Sequence, residues 1–448
     1  MEFLAIPVPE EIRREEGLGN FLRAQKMVKE KLESDLPSLL EKRLEYELER
    51  IKRIQGDYTF SAEEAKKKLA ESVEGFSEGE YEELMGSGKL DYRVIEGKNF
   101  FEKRFLANLG FLDPQYKKRM KKDSHRIKAR KLLHKRLDEL IDGAPPKTYR
   151  VVGEITVRPS IENITRKKLR CWLPFPKKED PVLSTTLLES SHKEYILAPN
   201  NSSQRTIYME DTPQENLIFS VKFEYRVREQ MNSIDPARVT NANSSEQKYL
   251  RESPPHIVFS PYLQRVATDI VGDETNPYLK AKKIYEWITT NVRYSYMHTY
   301  STYENLTEFC VVNLRGDCGV QALLFITLCR IIGVPSGWQS GWYANPQSPG
   351  PHDWAVFYIE PYGWLPADLS FGGARRETPR YREFYFGNLD AFRMVANTTF
   401  MGDLTPKKQH WRSDPYDNQM GEMETKSENL YYDAFDYEIK IHSFEETE

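Results

Sequence analysis

Residues 315–335 read RGDCGVQALLFITLCRIIGVP, and this stretch decides the fold. Gly316 and Asp317 punctuate the chain, and an apolar run follows. Within it Val320, Leu323, Leu324, Thr327, Leu328 and Ile331 recur at helical spacing. Gly333 and Pro335 then end the helix, as expected at a C-terminus. Cys318 therefore falls in the first turn of a buried helix. The positive end of the helix dipole favours a thiolate there, and the unpaired amides of that turn suit an oxyanion. A low-pKa thiol beside amide donors is what cysteine acyl transfer requires. The plainer reading is a small apolar side chain that fills space. Cys310, Cys329 inside the helix and Cys171 in a strand keep that reading.

A thiol nucleophile needs a base. The segment 348–372, SPGPHDWAVFYIEPYGWLPADLSFG, offers His352. It opens a strand in which Trp354, Val356 and Tyr358 alternate with Ala355, Phe357 and Ile359. A turn at Pro361-Tyr362-Gly363 returns the chain to Asp368. A carboxylate accepting from one ring nitrogen leaves the other to face sulfur, giving a Cys–His–Asp constellation of Cys318, His352 and Asp368. With a three-residue turn, His352 and Asp368 share a face, but Asp368 is expected opposite about residue 356. That offset of four residues is about 13 Å along a strand. A bulge or sheet twist must then close it. Read singly, His352 is a loop histidine and Asp368 a strand-end cap.

Outward from this core, Asn276-Pro277 marks a helix start that carries Ala281, Ile284, Tyr285 and Ile288 on one side. Residues 231–256 are rich in Asn, Ser and Pro and read as a connector. Before it the period is two. Phe219, Val221, Phe223, Tyr225 and Val227 alternate with polar residues, and Tyr149–Val157 and Lys168–Leu173 also read as strands. Residues 147–230 thus form an antiparallel sandwich. Residues 1–143 read as helical, with Leu39, Leu40, Leu44 and Leu48 at helical spacing and a capping box at Ser61 and Glu64. Between Pro114 and Arg136 there are 11 Lys/Arg against one acid, Asp123. That excess points either to an anionic partner or to a solvated face turned toward the protein's own acids.

Composition limits the functions. With 448 residues, the chain is long enough for two to four domains. Its net charge of −4 gives no global basicity, so a nucleic-acid partner is not expected. No apolar run is long enough to span a membrane. The polar, acidic start lacks a leader's pattern, and four cysteines without a C-x-x-C pair suit a reducing interior, so a cytoplasmic location is expected. MGSGKLD places Leu90 where a phosphate-binding loop needs Ser or Thr, and no H-E-x-x-H occurs. Neither a metal nor a cofactor is expected. N-x-[ST] matches such as Asn163 and Asn305 are too short to carry an argument.

Three ordered blocks resemble the transglutaminase-like superfamily, whose core is similar to papain-like cysteine proteases. They are ETNPYLKAKKIYEWITTNVRYSY at 274–296, the cysteine helix with Arg330 and Gly333-Val334-Pro335, and the segment with His352, Trp354, Gly363, Trp364 and Asp368. The resemblance implies Cys318 as nucleophile, His352 as base and Asp368 as orienting acid. It makes Tyr294 or Tyr296 an oxyanion helper and Trp354 an oxyanion or substrate contact. It implies an α+β fold: an N-terminal helical region (1–143), a β-sandwich (147–230), a papain-like, transglutaminase-like catalytic core (257–400) and a C-terminal tail packing on that core (401–448). A peptide or protein substrate follows, with hydrolysis favoured over an amine acceptor. A binding or scaffold protein with a vestigial site is the alternative.

Overall fold

The computed structural model describes residues 2–160, 168–241, 244–414 and 416–447. Asn163 lies outside them, and Asn305 caps the helix Leu306–Asn313 through the N–H groups of Thr307 and Glu308. The fold is α+β, with helices predominant before residue 142 and antiparallel strands predominant after it. The chain divides into two compact units, each stitched from three segments. The first holds Met1–Lys122, Glu252–Val258 and Asn291–Val320; the second holds Asp123–Arg251, Phe259–Thr290 and Gln321–Glu448. The boundary at 320/321 falls inside the helix Cys318–Ile331. A division into consecutive segments cannot express units assembled in this way.

In the first unit, the helices Glu10–Gly17, Phe21–Leu32 and Ser38–Asp57 bury Ile12, Phe21, Val28, Leu44 and Ile51 against one another. Of the leucines read as one face, Leu44 is buried and Leu39 faces outward. The capping box forms: Ser61 Oγ accepts from Glu64 N–H at 3.3 Å and Glu64 returns the bond to Ser61 N–H at 2.8 Å. The all-helical reading of this region needs correction. Tyr58–Ser61, Lys98–Glu102 and Tyr92–Ile95 form a three-stranded antiparallel sheet. Its hairpin turns at Glu96-Gly97, both at positive φ, as a two-residue hairpin with strand twist demands. The strands are only four or five residues long, too short for alternation to stand out in the sequence. Phe101 from this sheet packs with Phe105, Leu69 and Tyr81 in a second apolar cluster.

In the second unit, Thr148–Pro159 lies between Phe435–Thr447 and Phe219–Arg228, with Val182–Ser190 at the edge. All five apolar residues of the alternating strand, Phe219 to Val227, are fully buried, so the period-two pattern did mark one core face. A second sheet runs Asn429–Leu430, Glu422–Glu424, Leu169–Pro174, Thr206–Asp211, Ile196–Leu197. The C-terminal tail was expected on the catalytic core; Gln419 does bond to the strand bearing His352, and the tail's strands also complete both of these sheets. Their backbone groups find ladder partners there that a polar tail lying on a core would lack.

A third sheet orders Gly363–Ala367, Gly350–Ile359, Ser336–Tyr343 and Arg393–Asn397, all antiparallel. Arg330, near the end of the cysteine helix, donates to the Ser336 carbonyl at 3.0 and 2.8 Å and so ties the helix end to this sheet. Gly333, at φ +83°, makes the turn between them, a conformation that favours glycine.

The basic run 114–136 is partly neutralised from within. Arg119 pairs with Glu80 at 2.5 Å, and the mostly buried Arg136 forms a fork on Glu229 at 2.7 and 2.6 Å. Most of its lysines are exposed.

Candidate active site

Strand register decides where a base and its carboxylate meet. Ile359 pairs with Gly363 and Ala355 with Ala367, so the turn is Glu360-Pro361-Tyr362. Continued by one step, that register sets Asp368 opposite residue 354, two residues from His352 and not four. Diagonal neighbours of this kind lie about 7–8 Å apart, within side-chain reach, so no bulge is needed. The expected offset was one pair too long because the turn begins one residue earlier than the Pro-Tyr-Gly reading placed it. His352 Nε2 lies 2.7 Å from Asp368 Oδ2, and both side chains are buried.

Asp368 is held by more than His352. Its Oδ1 accepts from Phe371 N–H at 3.0 Å and Ser370 Oγ at 3.3 Å, because it also caps the short helix Leu369–Gly373. Its Oδ2 accepts from Arg393 Nη2 at 2.8 Å. Burial alone would raise this carboxyl, but His352 and Arg393 overcome it and hold the pKa at about 2. An ionised carboxylate only accepts, so the His352 proton on this side sits on Nε2. Nδ1 is then the basic nitrogen of the neutral ring.

Arg393 went unread in the sequence. It is fully buried on the strand Arg393–Asn397 and bridges Asp368 to Asp390, whose Oδ1 it meets at 3.0 Å. Burial opposes its charge, yet the two aspartates raise its pKa. An arginine inside AFRMVAN was the available signal, since a cation in an apolar strand must find a buried anion.

The imidazole is also walled in. Trp354 stacks on it with centroids 5.8 Å apart, and Phe371 lies 4.7 Å away on a tilted plane. Trp354 is buried and donates Nε1–H to Gln339 Oε1 at 2.8 Å. It therefore braces the imidazole. Of the polar residues that follow Trp411, Ser413, Asp417, Asn418 and Glu422 are buried. Gln419 Nε2 donates to the His352 carbonyl at 3.1 Å and to Asp353, and Trp342 Nε1 donates to the Gln419 carbonyl at 2.8 Å.

Cys318 belongs to the first unit, with Tyr294 and Tyr296. It is the first residue of its helix and is half-buried. Asp317 Oδ1 accepts from Val320 N–H at 3.1 Å, as an N-cap does, and receives the Tyr300 hydroxyl. Burial raises the Asp317 carboxyl against these bonds. A Cβ on Gly316 would meet Val320 Cγ1 at 2.7 Å, so only glycine admits so tight an entry to the helix. Cys171, Cys310 and Cys329 are buried, which raises each thiol's pKa. Tyr294 pairs in register with Gly316, in a two-residue parallel bridge, and its ring meets Phe111 at 5.0 Å. Tyr296 lies under the Arg104 guanidinium, and its backbone N–H donates to Asn108 at 2.7 Å. Among the described residues, no cluster of three or more His, Cys, Asp or Glu is placed to hold a metal ion.

The transglutaminase-like superfamily model matches residues 264–369. An uncharacterized protein of Haemophilus influenzae is 23% identical over 281 residues, 53% of this chain and 76% of that protein. A solved structure described as a "putative cysteine protease" from Cytophaga hutchinsonii is 17% identical, with a TM-score of 0.42 over 67% of this chain and 92% of that one. The periplasmic domain of TgpA from Pseudomonas aeruginosa is 14% identical, with a TM-score of 0.27 over 55% and 94% of the two chains.

Proposed function

We propose, from the premise that residues 264–369 are a transglutaminase-like domain, that the chain is a cysteine enzyme acting on amide or peptide bonds, chiefly by hydrolysis. The observation that carries this reading is the buried 2.7 Å bond between His352 Nε2 and Asp368 Oδ2, with Nδ1 left as the basic nitrogen. Cys318 at the start of its helix supplies the nucleophile. Its sulfur attacks the substrate carbonyl while His352 takes the thiol proton. The backbone amide of Cys318 receives the oxyanion. Of the two tyrosines, Tyr294 is favoured as its helper, because its backbone runs in register with Gly316, two residues before the thiol. His352 then protonates the leaving amine, and water cleaves the acyl-enzyme by the same proton path reversed. Asp368 keeps the imidazole oriented and stabilises its charged form.

The test uses the full chain, an unfolded protein substrate and a fluorescent primary amine. New peptide termini from the wild type, absent with Cys318→Ala, support hydrolysis. Amine incorporation in place of cleavage reassigns the acceptor. No reaction that depends on Cys318 defeats the enzymatic reading.

A further inference from the structure

The first unit contains a cavity of about 270 Å³ whose wall includes Asp57, Asp91, Arg93, His298 and Arg315. The carboxylates in this wall already have donors. Asp57 receives Lys103 Nζ at 2.8 Å and Thr299 N–H at 3.0 Å. Asp91 receives the Tyr58 hydroxyl at 3.4 Å, the same hydroxyl lies 3.1 Å from His298 Nε2, and that nitrogen is 3.5 Å from Asp91. The cations are less well supplied. Arg93 stacks over Phe21 and donates one bond, to the Glu16 carbonyl at 3.0 Å. Neither Arg93 nor Arg315 makes an ion pair among the described residues; Arg315 lies over the Phe309 ring at 5.6 Å and acts on Asp91 through its charge alone, lowering that carboxyl. His298 Nδ1 is buried without a hydrogen-bond partner among the described residues. The unused capacity of this cavity is therefore for donation to an anion.

We propose that this cavity binds an organic carboxylate of about amino-acid size, gripped by Arg93 and Arg315. Its body would rest on Tyr303 and Phe309, which also line the wall. Two guanidiniums match a carboxylate's two oxygens, and an apolar wall suits an organic body. Charge favours a monoanion over phosphate. Asp57 and Asp91 stand against Lys103, Arg93 and Arg315, which leaves one positive charge to meet and two fixed carboxylates to repel a dianion. The inference does not depend on Cys318 being a nucleophile.

Titration calorimetry on the full chain tests it with N-acetyl-L-phenylalanine and, as the uncharged control, its amide. The acid should bind one to one, at least about tenfold tighter than the amide. Arg315→Gln and Arg93→Gln should each bring the acid down to the amide's affinity, with thermal melting confirming that the variants fold. The wild-type comparison of acid and amide decides the matter even where a variant fails to fold. Equal binding of acid and amide, binding of neither, or folded arginine variants that bind like wild type would overturn the proposal. Displacement of the acid by equimolar inorganic phosphate would also overturn it.

Discussion

Two histidines that stand among carboxylates, His352 and His298, are built for different work. His352 meets one carboxylate at hydrogen-bond distance, 2.7 Å, and that carboxylate is itself fixed by Arg393 and two donors from the helix it caps. His298 stands between two carboxylates, 3.5 Å from Asp91 and 3.9 Å from Asp57. The first arrangement fixes a ring's orientation and proton. The second leaves a ring nitrogen without a partner at the wall of a cavity. What separates the two is whether a carboxylate meets the ring directly, as Asp368 does at 2.7 Å, or stands farther off while a tyrosine hydroxyl takes the near place, as Tyr58 does at 3.1 Å from His298 Nε2.

Substitutions break or sharpen that contrast. If the base assignment is right, His352→Ala lowers turnover about 10⁴-fold, the loss typical of a triad member. Asp368→Asn keeps the shape but offers the imidazole a donor in place of an acceptor, with an expected loss of about 10³-fold in kcat and little change in KM. Steady-state kinetics checks both. Arg393→Gln leaves buried carboxylates uncompensated and destabilises the protein by about 3 kcal/mol in urea unfolding.

The pH dependence is smaller. Asp368 titrates near 2 in the folded protein, below its ordinary value. Its ionised form thus adds stability that is fully present above about pH 4 and lost as pH falls toward 2. The contribution is about 2 kcal/mol, seen as a difference in urea midpoints between wild type and Asp368→Asn across that range. Smallest is His298→Ala, which weakens N-acetyl-L-phenylalanine binding by no more than about threefold by calorimetry. A loss as large as that of Arg315→Gln would make His298 an equal partner of the arginine.

Much of this was legible in the sequence where a pattern repeats. The alternating strand 219–227 shows one period over several residues and burial follows it, whereas the helix after Cys318 is buried on every side from Val320 to Cys329, so its unbroken apolar run was the signal there. Less was legible where one residue works through distant partners. Arg393 lies 25 residues from Asp368, and Gln419 lies 67 from His352, so no local spacing announces either. The turn before Gly363 was misplaced by one residue, enough to move the expected partner of Asp368 by two positions along the strand. The cavity of the first unit was unreadable, because its wall joins residues near 57, 91, 298 and 315 that share no motif.

The central claim is that Cys318 is a nucleophile served by His352. Alkylation of the full chain by iodoacetamide at pH 6, with each cysteine followed by peptide mass spectrometry, tests it most directly. Cys318 should react at least about tenfold faster than Cys310, whose thiol burial keeps protonated, and His352→Ala should remove the advantage. Equal rates for the two cysteines, or a Cys318 rate untouched by His352→Ala, would contradict it.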